Sequence, residues 1–232
     1  MKNLITLHDA DEIAAESAAI ERLGLARVIL GILRQPSHAL AQVFERPFQG
    51  YALLLAGAGG IYWLLNLSIA AAMGGSIPLP LLLLSVAVIG VAAGLAYLYA
   101  LTILIDWACD ILGGNATRRQ IRMLLACAGI PGLLALLVTG IPRIILFGES
   151  LFLPERAWMA ASPVLVWGLW FGDAVAFAWS ALLVVKGLKI MNGFSTARAM
   201  GAAVLPVAPI ALLGGFFLLM MWAVLALAPP AF

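Results

Sequence analysis

Long apolar runs constrain this sequence more than any other feature. Five of them lie at 51–73, 79–112, 121–147, 163–185 and 197–227. A helix needs about 20 apolar residues to cross the hydrocarbon core of a bilayer, and each run reaches that length. Because a chain in lipid must satisfy its backbone hydrogen bonds internally, such runs fold as helices. The sequence therefore predicts an all-α membrane protein, a bundle of five transmembrane helices.

The composition excludes other classes of protein. Hydrophobic residues make up 64% of the 232 residues and charged residues only 10%, whereas a soluble domain carries about 25% charged residues. A membrane β-barrel needs short segments that alternate between polar and apolar residues, and we find no such alternation. A role with nucleic acid is not expected, because the 13 basic residues are few and flank the apolar runs.

The first 50 residues differ from the rest. Residues 1–21 are polar and acidic, and residues 20–33 place apolar side chains between arginines. This pattern is typical of a helix in the membrane interface with its arginines toward the head groups. A soluble helix packed on the cytoplasmic face of the bundle fits equally well. We divide the chain into a polar tail with amphipathic, interfacial helices (1–50) and a five-span membrane domain (51–230).

The positions of the basic residues predict the orientation. With the N-terminus inside, eleven of them fall in inner segments and two, Arg143 and Arg156, in outer segments. Cytoplasmic loops of membrane proteins carry an excess of Lys and Arg. We therefore predict a cytoplasmic N-terminus and an external C-terminus. Basic residues at the inner face could also bind anionic lipid head groups.

A short basic loop joins the predicted second and third spans. The two acids before it stand four residues apart and so share one helix face. We predict that they form a clasp with the arginines of this hairpin, or that the hairpin contacts head groups. A divalent cation held by the acids and glycine carbonyls is the alternative, but too few oxygen ligands converge there. The residues concerned are Asp106, Asp110, Arg118, Arg119 and Arg122.

The two predicted inner hairpins share an order of residues. Each has a glycine, a hydroxyl cap, an arginine and then a proline inside the following span, and Thr117 and Gln120 have the spacing of a capping box. This order indicates a parallel internal repeat, or only the common needs of short helical hairpins. The residues predicted to shape these hairpins are Gly113, Gly114, Thr117, Pro131, Gly193 and Pro209.

Asp173 is the most unusual residue in the apolar runs. It lies about ten residues into the predicted fourth span, hence about 15 Å deep at about 1.5 Å per residue. A carboxylate at that depth is costly and is a functional candidate. We predict an intramembrane polar site of Asp173, Asn66 and Thr139 that relays protons or binds a cation. The alternatives are an acid that joins helices, or an ion pair with Arg143.

No catalytic, metal or cofactor motif is recognisable. Cys109 and Cys127 lie in or beside apolar helices, and neither histidine has a partner at ligand spacing. The P-loop, the nucleophile elbow and the zincin pattern are not found. We expect no catalytic residue, no metal and no cofactor.

Three stretches resemble the Ypt-interacting-protein (Yip) membrane-domain family in its bacterial form. They are ILRQPSHAL, GGNATRRQIRMLLACAGIP and WSALLVVKGLKIMNGFSTARA. The resemblance covers about residues 30–220 and implies five spans with a cytoplasmic N-terminus. Eukaryotic relatives are linked to Rab-type GTPases and vesicle traffic, but we do not expect that role for a chain without a long N-terminal cytoplasmic domain.

Together these features predict a non-enzymatic integral protein of the bacterial inner membrane. It would act as a scaffold or partner subunit, or organise the membrane. Its expected partners are the lipid bilayer, anionic lipids at the inner face, and a membrane protein or a second copy of the chain. The alternative is a small transporter or channel component that uses Asp173.

Overall fold

The part of the chain that the structure describes is helical. The structure, a computed structural model, describes residues 25–45, 49–75, 77–153 and 163–207. Short 3₁₀ turns lie at Met73–Gly75 and Gly148–Phe152, and a π-helical turn lies at Leu136–Gly140. The α-helices within these ranges are α1 Leu25–Arg34, α2 Pro36–Glu45, α3 Gln49–Ala70, α4 Leu79–Ile111, α5 Arg118–Ala128, α6 Ile130–Ala135, α7 Ile141–Phe147, α8 Pro163–Asn192 and α9 Thr196–Val204.

Four helical segments of the described chain are long and apolar enough to cross a membrane. We call them the first to fourth spans, and they are Tyr51–Ala70, Leu79–Ile111, Arg118–Phe152 and Pro163–Asn192. The third span comprises α5, α6, the π turn, α7 and the 3₁₀ turn after it. Of the predicted fifth span, the beginning is seen as α9, and residues 208–227 lie outside the described residues, as do residues 1–24 of the polar tail.

The ends of the spans differ from those read from hydropathy. The third span already begins at Arg118, because Thr117 caps it. The fourth runs to Asn192, beyond the predicted end at 185. Lysine is favourable near a helix C-terminus, where it faces the negative end of the helix dipole, so Lys189 does not end the helix. The end comes at Gly193, whose φ of +64° is the left-handed conformation that glycine adopts after a helix.

Glycines bring the first and second spans into backbone contact. A Cβ on Gly60 would lie 2.0 Å from the carbonyl oxygen of Gly90, and a Cβ on Gly94 would lie 2.2 Å from that of Ala56. Helices in lipid associate through van der Waals packing, which small residues allow at short range. The two spans therefore form a tightly packed hairpin.

The third span is interrupted near both of its interior prolines, as the sequence predicts. Gly129 separates α5 from α6, and Pro131 lies in the first turn of α6. The π turn precedes Pro142, which lies in the first turn of α7. Proline has no N–H to donate and its ring crowds the preceding turn, so interruptions at these points are expected.

The N-terminal helices pack on the bundle. Ile32 of α1 and Leu40 of α2 are completely buried, in one apolar cluster with Leu124 of the third span and Leu183 of the fourth. A second apolar cluster, around Phe152, lies near the other end of the bundle. The sequence left open whether these helices pack on the bundle or lie in the interface, and the contact with the bundle is what the structure establishes.

Candidate functional site

Asp173 of the fourth span is hydrogen-bonded to two other spans. The Tyr62 hydroxyl, from the first span, donates to Asp173 Oδ1 at 2.7 Å. The Thr139 hydroxyl, from the third span, donates to the same oxygen at 2.6 Å. Arg143, also from the third span, donates through Nη2 to Asp173 Oδ2 in an ion pair. Both carboxylate oxygens therefore have partners.

Asn66 belongs to the same cluster but does not reach Asp173 directly. Its Oδ1 accepts from Arg143 Nη1 at 3.2 Å, and its Nδ2 donates to the Tyr62 carbonyl oxygen at 2.9 Å. The structure thus brings together the three residues predicted from the sequence, adds Tyr62, which the sequence analysis missed, and contains the ion pair between Asp173 and Arg143 that the sequence analysis gave as an alternative. We call the five residues the polar cluster: Tyr62, Asn66, Thr139, Arg143 and Asp173.

The two additional members share helix faces with predicted ones. Tyr62 stands four residues before Asn66, and Arg143 stands four residues after Thr139. Side chains four apart in an α-helix are neighbours on one face. A search for polar residues one turn from each candidate would have found Tyr62.

Arg143 is buried, although the charge count assigned it to an outer segment. Only 5% of its side chain is exposed, against 22% for Asp173. Removing a guanidinium from water is expensive unless an opposite charge and further hydrogen bonds compensate for it. Asp173 and Asn66 provide both, so Arg143 can lie inside the third span instead of in the head-group layer.

The backbone around Thr139 departs from a regular α-helix. Thr139 lies in the π turn, a conformation that is rare in helices and frequent at functional sites. On the facing helix, a Cβ added to Gly172 would lie 2.9 Å from Thr139 Cγ2. The bare backbone of Gly172 therefore lets the fourth span approach the third next to Asp173.

The chemistry of the polar cluster is that of a charge-neutral tie between three spans. The Arg143 guanidinium and the hydroxyls of Tyr62 and Thr139 donate hydrogen bonds to the two oxygens of the Asp173 carboxylate. Two buried donors, Arg143 Nε and Trp179 Nε1, have no acceptor among the described residues. In residues 25–45, 49–75, 77–153 and 163–207, no three His, Cys, Asp or Glu side chains come together as a metal site would require.

The acids and arginines of the first inner hairpin, which were predicted to form a clasp, do not all contact one another. Arg118 Nε donates to Asp106 Oδ2 at 2.6 Å, with 68% of the arginine side chain exposed. The Arg122 guanidinium lies 5.5 Å from the ring centre of Tyr99, in a cation–π contact. Asp110 and Arg119 are exposed. The pairing predicted between acids and arginines is thus present as a single ion pair in this hairpin.

The start of the third span has a capping box. The backbone N–H of Gln120 donates to Thr117 Oγ1 at 3.3 Å, and the Thr117 N–H donates to Gln120 Oε1 at 2.9 Å. Before it, Gly113 has a φ of +78°. In the second hairpin, Ser195 caps α9 by accepting from the backbone N–H of Arg198 at 3.4 Å. Pro209, predicted to complete the second pattern, lies outside the described residues.

Asn192 joins the two hairpins. Its Oδ1 accepts from the backbone N–H groups of Asn115 and Ala116, both at 2.9 Å. Its Nδ2 donates to the Leu188 carbonyl oxygen at 3.1 Å. A Cβ on Gly114 would lie 2.5 Å from Asn192 Oδ1, so the predicted glycine is needed for this contact. The sequence pointed to a turn at Asn192 and not to this bridge.

The chain matches one protein family over most of its length. The family model described as the Yip1 domain matches residues 30–221. All members of the polar cluster and both hairpins lie inside that match. No curated protein and no solved structure matches the chain.

Proposed function

Because the chain belongs to the Yip1 domain family, we propose that it is a non-enzymatic membrane scaffold or partner subunit, or a protein that organises the membrane. Its character as an integral membrane protein follows from the family and the four long apolar helices. The resemblance noted in the sequence is thereby confirmed at the level of the family. The scaffold role is the step that we add.

The polar cluster is the observation that supports this role. Its charged and polar groups bond to one another across the first, third and fourth spans. Hydrogen bonds and ion pairs between polar groups in an apolar surrounding stabilise the arrangement of the helices that they join. A bundle joined in this way presents a defined surface to lipid and to other membrane proteins.

The proposed topology places the basic end of the bundle in the cytoplasm. We define the basic end by Arg118, Arg119, Arg122, Lys186, Lys189 and Arg198. An excess of Lys and Arg on the cytoplasmic side is the general rule for membrane proteins. We propose five spans, an inner N-terminus, an outer C-terminus and a bacterial inner membrane as the location. Anionic head groups would then meet the basic end.

The fourth span exposes large apolar side chains, and we assign them to a contact with a partner protein. Val164 is 86% exposed and Trp167 and Phe171 are each 71% exposed, and their spacing of three and four residues places them on one side of the helix. We propose that this face, called the fourth-span face, meets another membrane protein or a second copy of the chain.

Photo-crosslinking in native membranes tests this role. A photoreactive residue is placed at Trp167 or Phe171, and at Ile145 of the third span, which is 76% exposed, as the control. The scaffold role predicts one discrete protein adduct, heteromeric or dimeric, from the fourth-span positions and none from Ile145. Lipid adducts alone from all three positions would contradict it.

A transporter or channel component is the second candidate, and two observations favour it. Asp173 remains 22% exposed, and a π turn adjoins it. The purified chain is reconstituted in liposomes, and the fluxes of protons and alkali cations are measured. A scaffold gives the flux of empty liposomes, with or without Asp173→Asn. A flux that the chain creates and Asp173→Asn abolishes would replace the scaffold by a transporter.

A further inference from the structure

The Arg143 guanidinium has two neighbouring N–H donors on one edge, and only one of them has an acceptor. Nε and Nη2 lie on one edge of a guanidinium and can donate in parallel to the two oxygens of a carboxylate. Nη2 donates to Asp173 Oδ2, but Nε has no acceptor among the described residues. A buried donor without an acceptor is costly, and almost all such groups in proteins are paired. The unpaired Nε–H group therefore needs a physical explanation.

The explanation lies in the other oxygen of the same carboxylate. Asp173 Oδ1 is the oxygen that would accept from Arg143 Nε in a two-bond pairing. It accepts instead from Tyr62 at 2.7 Å and from Thr139 at 2.6 Å. Arg143 Nε is itself fully buried, so solvent does not reach it. The acceptor that a parallel, two-bond pairing of Arg143 with Asp173 would give to Nε is Oδ1, the oxygen that already accepts from the two hydroxyls.

One of the two hydroxyls has a second acceptor. Thr139 Oγ1 lies 2.7 Å from the carbonyl oxygen of Ala135 as well as 2.6 Å from Asp173 Oδ1. A threonine hydroxyl has a single proton and can donate to one of them at a time. Thr139 can therefore release the carboxylate and remain hydrogen-bonded within the third span.

We propose that Asp173 is a latch with two positions. In the first, Oδ1 accepts from Tyr62 and Thr139, and the first span is tied to the fourth. In the second, Oδ1 accepts from Arg143 Nε, Thr139 donates to Ala135, and Tyr62 loses its acceptor. The exchange keeps the ion pair intact and breaks the hydrogen bond by which Tyr62 joins the first span to the fourth. This inference goes beyond the scaffold role and does not depend on it.

The side-chain Nε–H resonance of Arg143 tests the latch directly. The full chain is labelled with ¹⁵N-arginine in nanodiscs of neutral lipid, and Arg143→Lys identifies the resonance by its loss. Tyr62→Phe combined with Thr139→Val removes both hydroxyls and frees Oδ1. The Nε–H proton is then expected to move downfield, as a new hydrogen bond to a carboxylate requires, and each single variant to give part of the shift. Thr139→Ser keeps a hydroxyl and should leave the resonance in place.

Asn66→Ala is the matched control, because it removes a partner of Arg143 Nη1 and leaves Oδ1 held. An Nε–H resonance that is the same in the double variant and the unmodified chain would overturn the proposal. A second measurement does not depend on that resonance: spin labels at Trp63 of the first span and Phe171 of the fourth, both exposed. Their distance distribution should broaden in the double variant, and an unchanged narrow distribution would contradict the release of the first span.

Discussion

Gly60 of the first span lies so close to Gly94 of the second that a Cβ on Gly60 would come within 2.6 Å of the Gly94 backbone. Gly90, one turn before Gly94, meets the same stretch of the first span. A larger residue at this crossing would have to push the two backbones apart. Gly59, next to Gly60, offers a comparison, since nothing lies within 4 Å of the position of its Cβ.

We expect Gly60→Ala to lower the free energy of unfolding by about 2 kcal/mol, because overpacking a tight contact costs about 1–3 kcal/mol. Gly59→Ala is the control in the same helix. It should be neutral or stabilising by up to about 1 kcal/mol, since alanine forms helix better than glycine. Both values come from reversible unfolding in mixed micelles. If Gly60→Ala is as stable as Gly59→Ala, the two spans do not meet in this way.

Removing one partner of the ion pair between Arg143 and Asp173 should lower the free energy of unfolding more than removing both partners. Removing one partner leaves a buried charge without compensation, so Arg143→Leu and Asp173→Leu should each destabilise by about 3–5 kcal/mol. The double variant should recover most of this loss, because no unpaired charge remains. Asn66→Ala, which removes a single hydrogen bond to Arg143, should cost about 1 kcal/mol. Additive effects of the two leucine variants would contradict an intramembrane ion pair.

The Asn192 bridge is expected to fix the first inner hairpin. Asn192→Ala removes the acceptor of two backbone N–H groups, and we expect a loss of about 1 kcal/mol, since those groups can be hydrated when freed. Hydrogen exchange at the amides of Asn115 and Ala116 should become faster. Asn115→Ala is the control, because the bond is made by the backbone of that exposed residue. Equal exchange in Asn192→Ala and the unmodified chain would show that the bridge is not maintained in the membrane.

The sequence predicted local features better than contacts between distant segments. The capping box of Thr117 and Gln120 is readable because its residues are three apart. Asp173, Asn66 and Thr139 could be proposed as one site because each is a polar residue inside an apolar run. The ion pair with Arg143 could be given only as an alternative and Tyr62 was missed, since these contacts depend on how each helix is rotated, and the π turn changes that rotation in the third span. Asn192 contacts a loop 76–77 residues away, and no local pattern marks such a contact.

At the start of the third span, the cap should matter more than the ion pair beside it. Thr117→Ala removes the side-chain acceptor for the Gln120 N–H, and such losses cost about 1 kcal/mol. Arg118→Gln breaks the pair with Asp106, but the arginine side chain is 68% exposed, and ion pairs that water screens contribute little to stability.

The dependence on salt separates these two effects. The small effect of Arg118→Gln should shrink further as salt is raised toward about 1 M, where the Debye length falls to about 3 Å. The effect of Thr117→Ala should stay constant, because a hydrogen bond between neutral groups is not screened. The measurement is unfolding of both variants in detergent at low and high salt. An Arg118→Gln variant that destabilises more than Thr117→Ala at both salt concentrations would mean that the charge pair, and not the cap, holds this hairpin in shape.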